Sequence, residues 1–162
     1  MQPPHQIAEK FSSIDAHDDT VEGFSFIPAT KRGKKAKLEV TLFRHWEGKR
    51  RLLTFTNCAN IQLVLDADVL LDNAPNNTCA LQATADSNEV TALMRKHKSA
   101  WNVSYQKRVD PLNGKLDVAD KCVLFRVRVF GGVLQIIARS FSVRPISSPS
   151  ALVTANGKIS LP

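Results

Sequence analysis

The chain has 162 residues, of which 43% are hydrophobic and 23% charged, with a formal net charge of +7. That length suits a single domain with a core large enough to stand without disulfides or metal. No window approaches the ~18 apolar residues of a membrane span, and the start lacks an apolar signal core. Three cysteines (Cys58, Cys79, Cys122), none in a CxxC pair, argue against a disulfide framework. The expectation is a cytoplasmic protein with reduced thiols and no membrane contact.

In chain order, Pro3-Pro4 precede a short amphipathic stretch from His5 to Ser13 with Ile7 and Phe11 four apart, which predicts a brief helix. A polar turn around Asp15–Asp19 leads into a strand, Val21 to Ile27, with Phe24 and Phe26 on one face. Residues 28–36 (PATKRGKKA) read as a loop. A strand over 37–46 follows, with Leu38, Val40 and Leu42 alternating against Glu39, Thr41 and His45. The chain turns at Glu47-Gly48-Lys49-Arg50 and returns as a strand over 51–57. Residues 60–71 and 78–85 read as further strands, separated by the turn signal Asp72–Asn77.

The one long helix is expected over 87–100. Asp86 stands as N-cap with Glu89 three residues on, and Val90, Leu93, Met94, His97 and Trp101 recur at helical spacing. Strand is expected to resume at Trp101, Val103 and Tyr105. Two β-rich runs, Cys122–Phe130 and Val133–Val143, flank Gly131-Gly132 and predict a two-residue hairpin pairing Phe130 with Val133 and Val129 with Leu134. One hairpin face (Val123, Phe125, Val127, Leu134, Ile136, Ala138) reads as core. The other mixes Leu124 and Ile137 with Arg126, Arg128 and Arg139, a secondary basic face expected to lie under a helix, a second sheet or a partner.

The expected fold is α+β, dominated by antiparallel sheet, sandwich-like or strongly curved. The domain is expected over 1–145 and a loosely structured tail over 146–162.

The charge is the most informative feature. Nine of the 22 cations and two of the 15 anions fall between Lys31 and Arg51, so elsewhere thirteen of each sign cancel. The candidate partner-binding residues are Lys34, Lys35, Arg44, Trp46, Lys49, Arg50 and Arg51, at a loop and a hairpin tip about 30 Å apart along the intervening strand. A local excess of one sign steers oppositely charged molecules, and Trp46 near the hairpin tip reads either as an interface anchor or as a core residue. Nucleic acid is the alternative partner, but no zinc-finger, RNP-like or helix-turn-helix pattern accompanies the cations.

No catalytic motif, cofactor loop or metal-ligand spacing emerges. His17-Asp18-Asp19 reads better as a capped turn than as a metal site or general base. Asp66, Asp68 and Asp72 lack the remaining ligands of a calcium loop. The sequence therefore points to a binding protein and to no enzyme, cofactor or metal, and leaves oligomeric state open.

The order of elements resembles the small β-rich immunity proteins that stand beside bacterial polymorphic or contact-dependent toxins. The segments carrying it are AHDDTVEGFSF, KLEVTLFRHWEGKRRLLTF, TNCANIQLVLD and LQIIARSFSVRP. The resemblance implies stoichiometric binding of a toxin that is acidic at its contact surface.

Overall fold

Alternating apolar residues build two four-stranded antiparallel sheets, each with its hydrophobic side turned toward the other. The computed structural model describes residues 2–17, 19–29, 35–65, 80–101, 120–129 and 132–146. Helix α1 (Pro4–Ser12) is followed by β1 (Asp19–Ile27), β2 (Lys37–Arg44), β3 (Lys49–Thr56), β4 (Asn60–Leu65) and β5 (Leu81–Thr84). Helix α2 (Ser87–Trp101) then precedes β6 (Val123–Val129), β7 (Gly132–Ala138) and β8 (Ser140–Ile146). The sheets run β1-β2-β3-β8 and β4-β7-β6-β5. The α+β class with predominantly antiparallel sheet is as expected from sequence.

Two strand pairs are shared out between the sheets by one bend. β3 pairs with β8 up to Thr56↔Ser140, and β4 pairs with β7 from Asn60↔Ile137. Between those pairs, three residues on one side (57–59) stand against two on the other (138–139). That extra residue bends the ribbon and passes both chains from one sheet into the other. Asn57 absorbs the turn at φ 57°, a left-handed conformation that asparagine tolerates better than most residues. The Arg139 amide donates to the Thr56 carbonyl at 3.2 Å and the Ala59 amide to that of Ile137 at 2.7 Å, which carries the ladder through the corner. The run 133–143, expected as one strand, is thus two strands in different sheets. Both halves keep period-two alternation, so the pattern alone could not show the break.

The inner layer holds Leu38, Val40, Leu42, Leu53 and Phe55 from one sheet against Val123, Phe125, Val127, Leu134 and Ile136 from the other. Helix α1 adds Ile7, Ala8 and Phe11 to this layer. Phe11 is fully buried, with its ring centroid 5.7 Å from Phe55, 4.9 Å from Phe125 and 5.0 Å from Phe141. Ser12 Oγ accepts the Ala83 amide at 3.0 Å, satisfying a backbone donor of edge strand β5.

Helix α2 covers the far face of the second sheet, where Val90 and Met94 bury against Cys122, Leu124 and Ile137. This explains the apolar residues on the mixed hairpin face. Asp86 caps α2 as expected, its Oδ1 accepting the Asn88 amide at 2.8 Å, whereas Glu89 accepts from Arg126 at 2.6 Å. The helix continues through Trp101, so the strand expected to begin there does not. Its continuation over Val103 and Tyr105 lies outside the described residues.

The final hairpin closes with Val129↔Gly132 and Val127↔Leu134, two residues displaced from the expected register. A displacement of two leaves every side chain on its original face, so the core assignment survives the shift. Gly132 takes a strand position, and the connection is 130–131.

Truncating Phe11 removes the ring on which three others close. Phe11→Ala is expected to cost about 3–5 kcal/mol, read as a lowered urea midpoint in equilibrium unfolding.

Candidate functional site

The candidate basic surface separates into two regions at opposite ends of β2. At the tip end, Arg44 closes β2 and a single 3-10 turn, His45–Glu47, connects it to β3. Gly48 ends that turn at φ 61°, where a side chain would be strained. The antiparallel ladders place Asp19 beside Arg44, and Arg44 beside Lys49. Anions of the α1–β1 segment thereby come within reach of the hairpin's cations.

Asp19 is the centre of this cluster and is fully buried. Its Oδ1 accepts from Arg44 Nε at 2.9 Å, and its Oδ2 accepts from the Arg51 guanidinium. Both guanidiniums also donate to the Asp15 carbonyl, each at 2.6 Å. Arg44 further donates to Glu47 at 3.2 Å, and Lys49 donates to the same carboxylate at 2.9 Å. Arg50 holds Glu22 in a two-pronged pair at 2.8 and 2.7 Å. Its guanidinium also lies 4.7 Å above the Phe43 ring.

These partners leave marks on the ionisation of the tip. The Arg50 hydrogen bonds hold the Glu22 carboxyl below the usual carboxylate range. Hydrogen bonds from Lys49 and Arg44 do the same for Glu47. Arg44 is raised further still, first by its hydrogen bond to Asp19.

The tip is therefore charge-balanced, with Arg44, Lys49, Arg50 and Arg51 matched by Asp15, Asp19, Glu22 and Glu47. Two of those anions, Glu22 and Asp19, sit on β1, and Asp15 sits just before it. Sequence reading could weigh only nearby residues, so it missed them as partners. The signal that finds them is the β1–β2 pairing itself.

Trp46 is 57% exposed, with the Arg44 guanidinium 5.1 Å from its ring. It stands on the 3-10 turn as an outward aromatic and takes no part in the core. A hollow of about 150 Å³ lies between the tip and the end of β8, lined by Arg44, Glu47, Lys49, Arg50, Arg51, Pro145 and Ile146. That is smaller than a typical small-molecule site of about 300–1,000 Å³.

At the other end of β2, Lys35 and Lys37 are both exposed. No described carboxylate lies in ion-pair contact with either. Lys34, like Lys31 and Arg32, lies outside the described residues. The two regions are separated by the seven residue steps of β2, about 23 Å.

The secondary basic face is divided as well. Arg126 pairs with Glu89 of α2, Arg128 is exposed, and Arg139 is half-buried at the corner near Cys122.

Asp19, read from sequence as part of a capped turn, is instead the first residue of β1 and is committed to two guanidiniums. Asp66, Asp68, Asp72 and Cys79 lie outside the described residues. Cys58 and Cys122 are unbridged. Burial pushes the Cys58 thiol up to about 11 and raises that of Cys122 despite nearby Arg139, so neither carries the lowered pKa of a reactive thiolate. No helix among the described residues is long and apolar enough to cross a membrane.

Comparison with known proteins returns no matching family model, no matching curated protein and no matching solved structure.

Two predictions follow the geometry of the tip. Asp19→Ala removes the buried carboxylate that Arg44 and Arg51 share, leaving them the Asp15 carbonyl, and is expected to cost about 3 kcal/mol, whereas Lys49→Ala, at an exposed pair, stays within about 0.5 kcal/mol. Chemical unfolding of the two variants checks the contrast. In an NMR pH titration the Glu22 side chain should ionise below the ordinary carboxylate range, and Arg50→Ala should return it there. Because this pKa is depressed on folding, the pair's contribution is present above the unfolded carboxylate pKa and is lost as pH falls through the folded one.

Proposed function

We propose that the protein is a non-catalytic binding domain that engages another protein with an acidic surface, and that the β1–β2 end supplies the steering charge. The observation that carries this reading is the division of the basic segment. The tip cations are matched by four carboxylates, so the surplus lies away from the tip, and Lys31, Arg32, Lys34, Lys35 and Lys37 put the densest part of it in a seven-residue span without an acid. Cations this dense along the chain, of which Lys35 and Lys37 have no described carboxylate in contact, set the long-range field that an acidic partner meets first.

The tip keeps a different role in the same reading. Trp46, backed by Arg44 and flanked by Lys49, Arg50 and Arg51, offers an aromatic contact on a rigid, ion-paired mount. Neutralisation of a toxin, in the manner of the immunity proteins that the order of elements resembles, is the form of this function that we favour. Action in the cytoplasm belongs to this reading, and the unbridged Cys58 and Cys122 support it.

Nucleic acid is the second reading, since the same lysines could meet phosphate. It requires a steep fall of affinity with salt, because each phosphate contact releases counterions.

The test uses equal charge changes at the two ends. Polyglutamate and a thymidine 20-mer serve as probes, with association measured by stopped-flow fluorescence. Lys34→Gln with Lys35→Gln should slow association with polyglutamate several-fold, and Lys49→Gln with Arg50→Gln should slow it much less. Equal slowing would reduce the effect to bulk charge and remove the proposal. Tight, salt-sensitive binding of the oligonucleotide alone would move the assignment to nucleic acid.

A further inference from the structure

The β1 edge beside these lysines is unusually open. Among the described residues, β1 is the outer strand of its sheet. A bulge at Glu22 interrupts its first half, but from Gly23 to Ile27 it pairs with β2 without a break. This run contains no proline and no charged residue, the devices that commonly discourage further strand pairing. Its free side presents a row of backbone donors and acceptors.

The side chains of the run add an apolar surface. Phe24 and Phe26 pair with Val40 and Leu38 and so share their face of the sheet. Val40 and Leu38 are buried, whereas Phe24 and Phe26 are each 53% exposed and Ile27 is 42% exposed. The rings lie beyond the edge of the covered core. Ile27 stands opposite Lys37, so the apolar run ends at the unpaired cations.

We infer that β1 from Gly23 to Ile27 accepts an extended segment of the partner protein as an added antiparallel strand, with alternating apolar side chains on Phe24 and Phe26 and acidic residues reaching Lys35 and Lys37. This deepens the proposed binding function and rests on it. Main-chain hydrogen bonds supply affinity in such strand addition, and alternate side chains supply selection. Charge selects the occupant. A second copy of this chain would bring another +7 molecule to the same edge, whereas an acidic segment meets complementary charge.

In antiparallel addition the incoming N-terminus lies at the Ile27 end. The probe is therefore a labelled peptide, Asp-Glu-Asp-Glu-Thr-Val-Thr-Val-Thr-Val, with a control carrying lysine at the four acidic positions. A third peptide keeps the acidic sequence but is N-methylated at alternate residues, which removes backbone donors and leaves charge unchanged. Fluorescence anisotropy should show saturable binding of the first peptide only, and hydrogen exchange should show slowed amides within Gly23–Ile27. Phe24→Ser with Phe26→Ser, and separately Lys35→Glu with Lys37→Glu, should each weaken binding about tenfold or more.

Binding that survives N-methylation and the phenylalanine changes, but is lost with the lysine changes, would leave the charged surface standing and overturn strand addition. No binding of the acidic peptide at millimolar concentration would overturn strand addition too, while the polyglutamate measurement judges the charged surface separately. A dimer abolished by the phenylalanine changes would assign the edge to a second copy and equally overturn the proposal.

Discussion

The buried Asp19 carboxylate, held between Arg44 and Arg51, is the interaction on which the arrangement of this protein turns. A carboxylate fully removed from water is costly unless charge-assisted hydrogen bonds replace its hydration. Here two guanidiniums from adjacent strands supply them. The same guanidiniums reach the Asp15 carbonyl, which fastens the connection between α1 and β1 over the hairpin. One cluster thus joins three consecutive pieces of chain and consumes most of the charge that would otherwise project from the tip.

The bent ribbon is the complementary constraint. By carrying β3 into β4 and β7 into β8, it makes the two sheets share a corner, and their inner faces close over Phe55 and Phe125. Helix α1 completes that layer with Phe11, and α2 seals the opposite face of the second sheet with Val90 and Met94. Among the described residues no such helix covers the first sheet along β1, where Phe24 and Phe26 stay half-exposed. The asymmetry places the open apolar edge next to the unpaired lysines and the balanced ionic cluster at the far end of β2.

Much of this architecture was legible in the residues. Alternation assigned the inward faces of β2, β6 and β7 correctly, because period two survives any even shift of register. Asp86 and the spacing of Val90 and Met94 announced α2, since capping and helical periodicity are local. The hairpin register escaped, because displacement by two residues leaves the pattern unchanged. The division at Arg139 escaped for a related reason: a bend into another sheet preserves alternation on both sides. Trp46 could be read either as core or as surface until the 3-10 turn carried it outward.

From the sequence alone it follows how much charge the protein carries and where along the chain it lies: +7, all attributable to Lys31–Arg51. Counting is sufficient for that. Which of those cations remain available was decided by tertiary structure, because the anions that match Arg44, Arg50 and Arg51 include Asp15, Asp19 and Glu22, 25 to 32 residues away in the chain. Only antiparallel pairing of β1 with β2 and β2 with β3 brings them together. A basic segment that looks continuous in sequence becomes a neutral, ion-paired tip at one end of a strand, while Lys35 and Lys37 at the other end have no described carboxylate in contact, since Coulomb attraction depends on separation in space and not on separation along the chain.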